Sequence, residues 1–190
     1  MKPVALLAID MQMGMADRIA SGRDRVNPGA EAKVAGLIAL FRSRGLPVIH
    51  VLHDDPDPAS PFRKGRPGGA PMPCALPAAG ETVLWKKGSS AFAGTGLEGH
   101  LRDLGVGTVV VVGAVAAFCV TSTTRWASDL GFSVILPGDA LLGFDIPAHD
   151  GGRIAASEVH RVTLSLLGAD FARLVAAEDV AGLLPALAPA

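Results

Sequence analysis

The sequence is poor in cysteine and has no excess of charge of either sign. Its 190 residues contain two cysteines, Cys74 and Cys119, without CxxC spacing, so neither a disulfide framework nor a thiolate zinc site is expected. The 17 basic residues are balanced by 18 acidic ones, for a formal net charge of -1. This balance excludes a surface built to attract nucleic acid or a membrane. We expect a cytoplasmic protein whose partner is a small, nearly neutral molecule.

Long hydrophobic runs are also missing. Glycine, proline or a charged residue interrupts every apolar segment before it reaches the roughly 20 residues that a membrane-spanning helix needs. The apolar run ahead of Asp10 has seven residues, which is too short for a signal-peptide core followed by a cleavage site. We therefore expect a soluble protein whose first apolar run is a strand.

Short β-rich runs alternate with helical patterns along the chain. The first, fourth and fifth runs are nearly all apolar, as expected for strands that are covered on both faces. This alternation predicts a doubly wound, three-layer α/β/α fold with a parallel sheet of about six strands. One domain is expected over 1–190, with a frayed tail at 182–190. The predicted strands are 4–9, 47–52, 82–86, 108–114, 132–137 and 171–175.

Two of the helical patterns have recognisable ends. In "NPGAEAKVAGLIALFRSRGL", Asn27 is the expected N-cap and Gly45 the expected stop. In "TGLEGHLRDLG", Thr95 and Glu98 have the spacing of a capping box, and Gly105 ends the pattern. Both segments are expected to connect neighbouring strands of the sheet.

Two long stretches lack any periodicity. Residues 53–81 are dense in proline and glycine, and residues 138–152 form a second such segment after the fifth strand. Unstructured connections of this length inside a compact domain are more often functional loops than idle excursions. We expect the 53–81 loop to form a wall of a binding site.

Residues able to do chemistry follow the ends of three predicted strands. Asp10 ends the first, Lys86 and Lys87 end the third, and Cys119 follows the fourth. Ligands of open α/β sheets bind outside the carboxyl ends of the strands, so these side chains can converge. Cys119 also precedes a helical pattern, where unpaired amides favour a thiolate and form an oxyanion hole. The alternative is an inert buried cysteine, and Cys74, in a proline-rich loop, is the weaker candidate.

Three motifs, in order and suitably spaced, resemble those of the isochorismatase-like cysteine hydrolases. They are "LLAIDMQ", "KKGSSAFAGTGLEGHLRDLG" and "VVVVGAVAAFCVTSTTRWASDLGFSVILPGDA". The similarity extends over nearly the whole chain. It implies a Rossmann-like fold, a catalytic triad of Asp10, Lys86 and Cys119, and a homo-oligomer, a dimer or a tetramer. It also implies a cis peptide between Ala114 and Val115, which turns the amides of Val115 and Cys119 toward the substrate.

The resemblance assigns four positions to the substrate pocket: Gln12, Met15, Phe92 and Phe118. Met15 stands where many members have an aromatic residue, so a more adaptable wall is expected. Ala116 stands where the family usually has threonine, which removes a hydroxyl that would orient a substrate or brace the turn. The choice of Lys86 over Lys87 rests on its four-residue distance from Ser90, the interval that the family's lysine keeps.

No metal is expected. The family's nicotinamidases hold a metal through Asp-x-His and a later histidine, but "HVLHDDPDP" lacks that spacing and residues 54–99 contain no histidine. His50 and His53, like the other three histidines, are interpreted as surface or packing residues. A nicotinamidase is therefore disfavoured.

The expected function is metal-independent and cofactor-independent hydrolysis of a small amide, carbamoyl or ureido compound through a thioester on Cys119. Two alternatives stay open: hydrolysis of a vinyl ether, and a catalytically idle binding protein that keeps the fold. A nucleotide-binding domain is disfavoured because no glycine-rich turn follows the first strand.

Overall fold

The computed structural model describes residues 3–185 of the chain. In chain order the strands are β1 (Val4–Ile9), β2 (Arg25–Val26), β3 (Val48–His53), β4 (Thr82–Lys86), β5 (Thr108–Gly113), β6 (Ser133–Pro137), β7 (Gly143–Phe144), β8 (Ile146–Pro147), β9 (Arg153–Ile154) and β10 (Arg173–Val175). The helices are α1 (Met13–Ala20), α2 (Ala30–Ser43), α3 (Leu97–Asp103), α4 (Thr121–Asp129), α5 (Ala156–Asp170) and α6 (Val180–Leu183). No helix among the described residues is long and apolar enough to cross a bilayer.

The central sheet has six strands in the order β10-β6-β5-β1-β3-β4, and every neighbouring pair is parallel. This confirms the predicted α/β fold and its six-stranded parallel sheet. The chain starts at the centre with β1, builds outward through β3 and β4, and then returns to place β5 on the other side of β1. The crevice beside β1 and β5 is therefore the point at which a doubly wound sheet binds ligands.

Two hydrophobic clusters cover the two faces of this sheet. Successive residues of β1 point to opposite faces, and all six are buried. Leu6 packs in the cluster that includes the buried face of α2, with Leu37 and Phe41. Leu7 packs in the opposite cluster with Leu101 of α3 and Leu167 of α5. The nearly continuous apolar runs of the sequence are thus explained by helices on both sides.

The predicted N-cap of α2 is wrong. Asn27 has a positive φ of 52°, and α2 is preceded by Gly29 without a side-chain cap. The Asn27 amide instead donates hydrogen bonds to the carbonyl oxygens of Gly138 and Leu141, both at 2.9 Å. A long-range contact to the loop after β6 has replaced the local cap. The predicted stop is confirmed, since Gly45 follows the helix at a φ of 64°.

The capping box of α3 is also wrong in part. The Thr95 hydroxyl accepts a hydrogen bond from the Leu97 amide at 3.2 Å, which satisfies one free donor of the first turn. Glu98 does not return the bond, because its carboxylate lies 3.4 Å from the Arg102 guanidinium one turn further on. Gly105 ends the pattern at a φ of 65°, as predicted.

Part of the predicted frayed tail is ordered. Within 182–185, Gly182 and Leu183 belong to α6, and Leu184 is only 5% exposed in the cluster that covers α2. Burial of these apolar side chains accounts for the added helix. The remaining positions of that prediction, 186–190, lie outside the described residues.

Candidate active site

The three residues predicted at strand ends meet at the carboxyl edge of the sheet. The Lys86 ammonium lies 2.9 Å from Oδ2 of Asp10 and 3.3 Å from Sγ of Cys119. Asp10 is 2% exposed and Lys86 is fully buried. Because β1, β4 and β5 are parallel, their last residues reach one edge, and the intervening loops have only to turn the side chains inward.

Local backbone features place Asp10 and Cys119 beside each other. Asp10 leaves β1 at a φ of 48°, a left-handed conformation that aspartate tolerates better than most residues. Gly113, the last residue of β5, has a φ of 112°, and a Cβ there would meet the Ile9 carbonyl oxygen at 2.2 Å. Only glycine lets the end of β5 approach β1 so closely. Cys119 follows in a π-helical turn, Ala116–Val120, that leads into α4.

The peptide bond between Ala114 and Val115 is cis. Val115 lines the cavity described below, and its amide donates no hydrogen bond to any residue of 3–185. The Ala116 amide, by contrast, donates to the Leu142 carbonyl at 2.8 Å. The bracing that a threonine at position 116 was expected to give comes from Thr121, whose hydroxyl donates to the Ala116 carbonyl at 2.7 Å.

The Lys86 ammonium has more acceptors than hydrogens. Besides Asp10 and Cys119, it lies 3.1 Å from the Gly88 carbonyl oxygen and 3.4 Å from Nδ1 of His53. An ammonium donates three hydrogen bonds, so four neighbours compete for them. The proton arrangement around Lys86 can therefore shift as charge moves between Asp10 and Cys119.

The thiol of Cys119 is harder to ionise than an ordinary cysteine. Burial, followed by the nearby Asp10 carboxylate, raises the pKa of Cys119 to about 11, although Lys86 partly opposes the shift. This corrects the expectation of a thiolate stabilised by the helix N-terminus. Burial also raises the pKa of Asp10 above the ordinary carboxyl range, against the lowering effect of Lys86. Its Oδ1 atom is buried and has no hydrogen-bond partner within residues 3–185.

The neighbouring Lys87 lies apart from this cluster. Its side chain is exposed, whereas that of Lys86 points inward, because adjacent side chains of a strand alternate between faces. Lys86 pairs in register with His53 of the adjacent strand β3. The four-residue distance of Lys86 from Ser90 and the register of β4 therefore select the same lysine.

A cavity of about 280 Å³ opens onto the cluster. It is lined by Asp10, Met15, Arg18, His53, Asp55, Phe62, Val115, Phe118 and Cys119. Met15 and Phe118 thus lie where the pocket was predicted. The 53–81 loop supplies three lining residues, His53, Asp55 and Phe62, which agrees with its predicted place as a wall.

Gln12 does not line this cavity. It is completely buried, and its amide donates hydrogen bonds to the carbonyl oxygens of His53 (2.9 Å) and Gly69 (3.0 Å). Its side-chain oxygen accepts a bond from the His53 amide at 2.8 Å. The pocket assignment of Gln12 is therefore corrected: its three bonds fix both ends of the segment that forms the cavity wall.

Phe92 does not line the cavity either. It is buried in the cluster on the α3 side of the sheet, and its ring stacks on Phe132 with a centroid distance of 6.1 Å. The apolar surface that suggested a pocket residue is used in core packing.

Sequence reasoning missed four lining residues, Arg18, His53, Asp55 and Phe62. Two signals were present. Arg18 lies three residues after Met15, which places both on one face of α1, and His53 is the last residue of a strand adjacent to β1. Phe62 and Asp55 belong to a loop without periodicity, so no pattern identified them. Among residues 3–185, no three His, Cys, Asp or Glu side chains form a group that could hold a metal ion.

Comparison with known proteins agrees with this architecture. Residues 4–163 match the Isochorismatase domain. A crystal structure of an isochorismatase-family protein from Chromobacterium violaceum superimposes with a TM-score of 0.88 at 41% sequence identity, covering 95% of this chain and 92% of that one.

Two relatives with known activities also align. Streptothricin hydrolase of Streptomyces noursei is 33% identical over 190 residues, which cover 98% of this chain and 67% of that protein. Maleamate amidohydrolase of Pseudomonas putida is 34% identical over 149 residues, which cover 70% and 68%. The domain match, the shared fold and these relatives show that the chain belongs to the isochorismatase family of hydrolases.

Proposed function

We propose that this chain is a cysteine amidohydrolase that cleaves a C-N bond in a small amide, carbamoyl or ureido compound through a thioester on Cys119. The observation that carries the proposal is the contact of Lys86 with both Asp10 and Cys119 at the edge of a small cavity. The similarity to maleamate amidohydrolase supports an amide C-N bond as the bond that is cleaved.

The first step is a proton transfer from Cys119 to Asp10. With the pKa of Cys119 at about 11, almost none of the thiol is ionised at neutral pH, so a base is required. The pKa of Asp10, raised by burial, makes its carboxylate a better proton acceptor than an ordinary aspartate. Lys86 then donates to the developing thiolate, 3.3 Å away.

In the second step the sulfur attacks the carbonyl carbon of the substrate. A C-S bond forms, and the carbonyl π electrons move to oxygen to give a tetrahedral oxyanion. A backbone amide aimed at this oxygen would stabilise it. The Val115 amide is suited to this role, since it lies at the cavity wall with no partner among the described residues.

Collapse of the intermediate completes acylation. The C-N bond breaks, and Asp10 returns its proton to the leaving nitrogen, which departs as ammonia or an amine. Water then attacks the thioester while Asp10 accepts one of its protons. The C-S bond breaks, the thiolate takes up that proton, and the acid is released with the enzyme in its starting state.

The test combines turnover with trapping of the acyl enzyme. A panel of small amides and ureas is screened for release of ammonia or amine. The reaction of the enzyme with each active compound is then quenched in acid, and the enzyme is analysed by peptide mass mapping. We expect an acyl adduct on the peptide containing Cys119. Cys119→Ala should abolish both adduct and turnover, whereas Cys74→Ala, the matched control, should change neither. Full turnover by Cys119→Ala would refute the thioester route.

A further inference from the structure

Arg18 is a cation without a counter-ion at the cavity wall. It lies on α1 and lines the same cavity as Asp10 and Cys119. Its nearest partners are the Met15 sulfur, 4.0 Å from Nη1, and the Phe62 ring, whose centroid is 5.0 Å from Cζ. Within residues 3–185, no carboxylate oxygen lies within 4.0 Å of its guanidinium.

The other arginines divide into those with a carboxylate partner and those without one among the described residues. Five of them form ion pairs with carboxylates: Arg23, Arg25, Arg42, Arg102 and Arg153. Arg18 is half-buried, and burial lowers its pKa. Arg44, Arg63 and Arg125 are also partly buried without an ion pair among residues 3–185, but of the unpaired arginines described only Arg18 lines the cavity that contains Asp10 and Cys119. Because a partly buried cation gains from an anionic partner, a ligand in this cavity can supply the charge that the chain does not.

Arg18 keeps donors available for such a ligand. A guanidinium has five N-H donors in a planar fork that matches the two oxygens of a carboxylate. The Met15 thioether is a weak acceptor and takes at most one of them, and the Phe62 ring takes the cation over its face. A bidentate contact to an anion is therefore still possible.

The acidic residues of the cavity do not replace that anion. Asp10 pairs with Lys86, and Asp55 accepts a hydrogen bond from the Asp57 amide at 3.0 Å within its own loop. Asp55 also disfavours a second negative group elsewhere in the cavity. The cavity volume of about 280 Å³ lies at the lower end of the range for ligand sites, so the ligand is short.

We infer that Arg18 binds a carboxylate of the substrate, so that the substrate class is a short amide that carries one carboxylate and presents its C-N bond to Cys119. The inference rests on the proposed amide hydrolysis for the identity of the reacting bond. An anionic substrate departs from the nearly neutral partner expected from the charge balance, because recognition here depends on one residue at the cavity wall and not on the net charge of the chain.

The first test compares matched acids and neutral amides. Succinamate and glutaramate are the probes, with succinamide and glutaramide as their uncharged counterparts. We expect wild-type kcat/KM to be at least tenfold higher for the acids. Arg18→Gln should remove this preference through KM, by lowering kcat/KM for the acids at least tenfold more than for the diamides, and Arg18→Lys should restore part of it. The control is Arg66→Gln, which changes an exposed arginine of the 53–81 loop that does not line the cavity.

The second test measures binding without turnover. Succinamate is titrated calorimetrically into Cys119→Ala and into the double variant Cys119→Ala/Arg18→Gln, with thermal melting to confirm that both are folded. We expect binding at least tenfold weaker in the double variant. If neither acid is hydrolysed but this difference is found, the carboxylate contact of Arg18 stands, and the amide assigned as the reacting bond under the proposed function is wrong for these acids.

Three outcomes would overturn the inference. Turnover of the diamides with no dependence of the acids on Arg18 would leave the proposed function in place and remove the carboxylate site. An equal loss from Arg18→Gln and Arg66→Gln would show a general charge effect instead of a contact. Absence of succinamate and glutaramate binding to Cys119→Ala would exclude this substrate class.

Discussion

A carboxylate cluster lies near each end of strand β4, and the two differ in burial and in how completely the carboxylate is paired. Before its first residue, Glu81 accepts two bonds from Arg42 at 2.7 and 2.8 Å and one from the Ala78 amide at 2.8 Å. Nε2 of His50 lies 2.9 Å from the same carboxylate. At the other end, Asp10 pairs with Lys86 through one oxygen only, and its second oxygen has no partner in the described chain.

The pKa values of the two carboxyls move in opposite directions as a result. The Arg42 fork, with the Ala78 amide and His50, holds the pKa of Glu81 at about 2. Burial raises that of Asp10, since a single ammonium does not compensate for lost water. A saturated carboxylate stays ionised and stabilises the fold, whereas an undersatisfied one is available to accept a proton.

The largest expected effect comes from making the Asp10 carboxyl unable to accept a proton. Asp10→Asn keeps the shape but removes the base, so turnover should fall about a thousandfold, or about 4 kcal/mol of barrier. The measurement is kcat/KM on an active amide, with circular dichroism as the control for folding. Glu81→Gln, the matched change in the saturated cluster, should leave turnover within a factor of about two.

The pH profile gives a second view of the same variant. Wild-type kcat/KM should rise with pH through the raised pKa of Asp10 and then level off, because the base must be ionised. Asp10→Asn should lose this step, and its residual activity should increase at alkaline pH as Cys119 ionises unaided. This rise should begin at a lower pH than ionisation of the wild-type thiol, because the carboxylate that helps to raise the pKa of Cys119 is gone. Identical profiles for the two proteins would remove Asp10 from the proton transfer.

The next effect separates the two adjacent lysines. Lys86→Ala should reduce turnover at least tenfold, about 1.4 kcal/mol of barrier, because the ionised Asp10 and the developing thiolate both lose a donor. Lys87→Ala, which changes an exposed side chain, should have little effect. Denaturation curves must accompany both, since an unpaired buried Asp10 also destabilises the fold. The opposite ranking in folded variants would transfer the role to Lys87.

The sequence was sufficient to predict features that depend on local pattern. The alternation of β-rich runs with helical patterns predicted the parallel sheet. The positions of Asp10, Lys86 and Cys119 at strand ends indicated that they could converge, and the family resemblance grouped them as a triad. The strand period allows only one of two neighbouring lysines to point inward, and the family's four-residue interval to Ser90 selected Lys86.

Features that depend on long-range contacts were not predictable in this way. Gln12 was assigned to the pocket, but its three bonds reach His53 and Gly69, far along the chain. The predicted thiolate at Cys119 was wrong because a helix N-terminus says nothing of desolvation, and burial is set by the whole fold. The helix spacing from Met15 placed Arg18 on the pocket face of α1, but neither its burial nor its lack of a carboxylate partner is visible in a sequence.

A smaller effect, on stability, is expected from a change in the cluster around Glu81. Glu81→Gln should lower the free energy of unfolding by about 1–2 kcal/mol at pH 7, since charge-assisted bonds to Arg42 are lost. The folded pKa of Glu81 is below its ordinary 4.5, so its stabilisation is present above pH 4.5 and is lost as pH falls toward 2. Urea denaturation at pH 7 and pH 3 should therefore show a smaller gap between variant and wild type at pH 3. A gap independent of pH would mean that packing is responsible.

The smallest expected effect is that of metal removal. It tests whether the Lys86 ammonium is the only cation that the Asp10 and Cys119 cluster needs, as the Arg42 guanidinium is for Glu81. The only cation contacting Asp10 and Cys119 among residues 3–185 is Lys86, and no group of three potential metal ligands occurs there. Dialysis against EDTA should change kcat/KM by less than about twofold, and added zinc should not raise it. A loss on chelation that zinc or another divalent ion reverses would contradict this, and His53→Ala would then show whether the histidine beside Lys86 is a ligand.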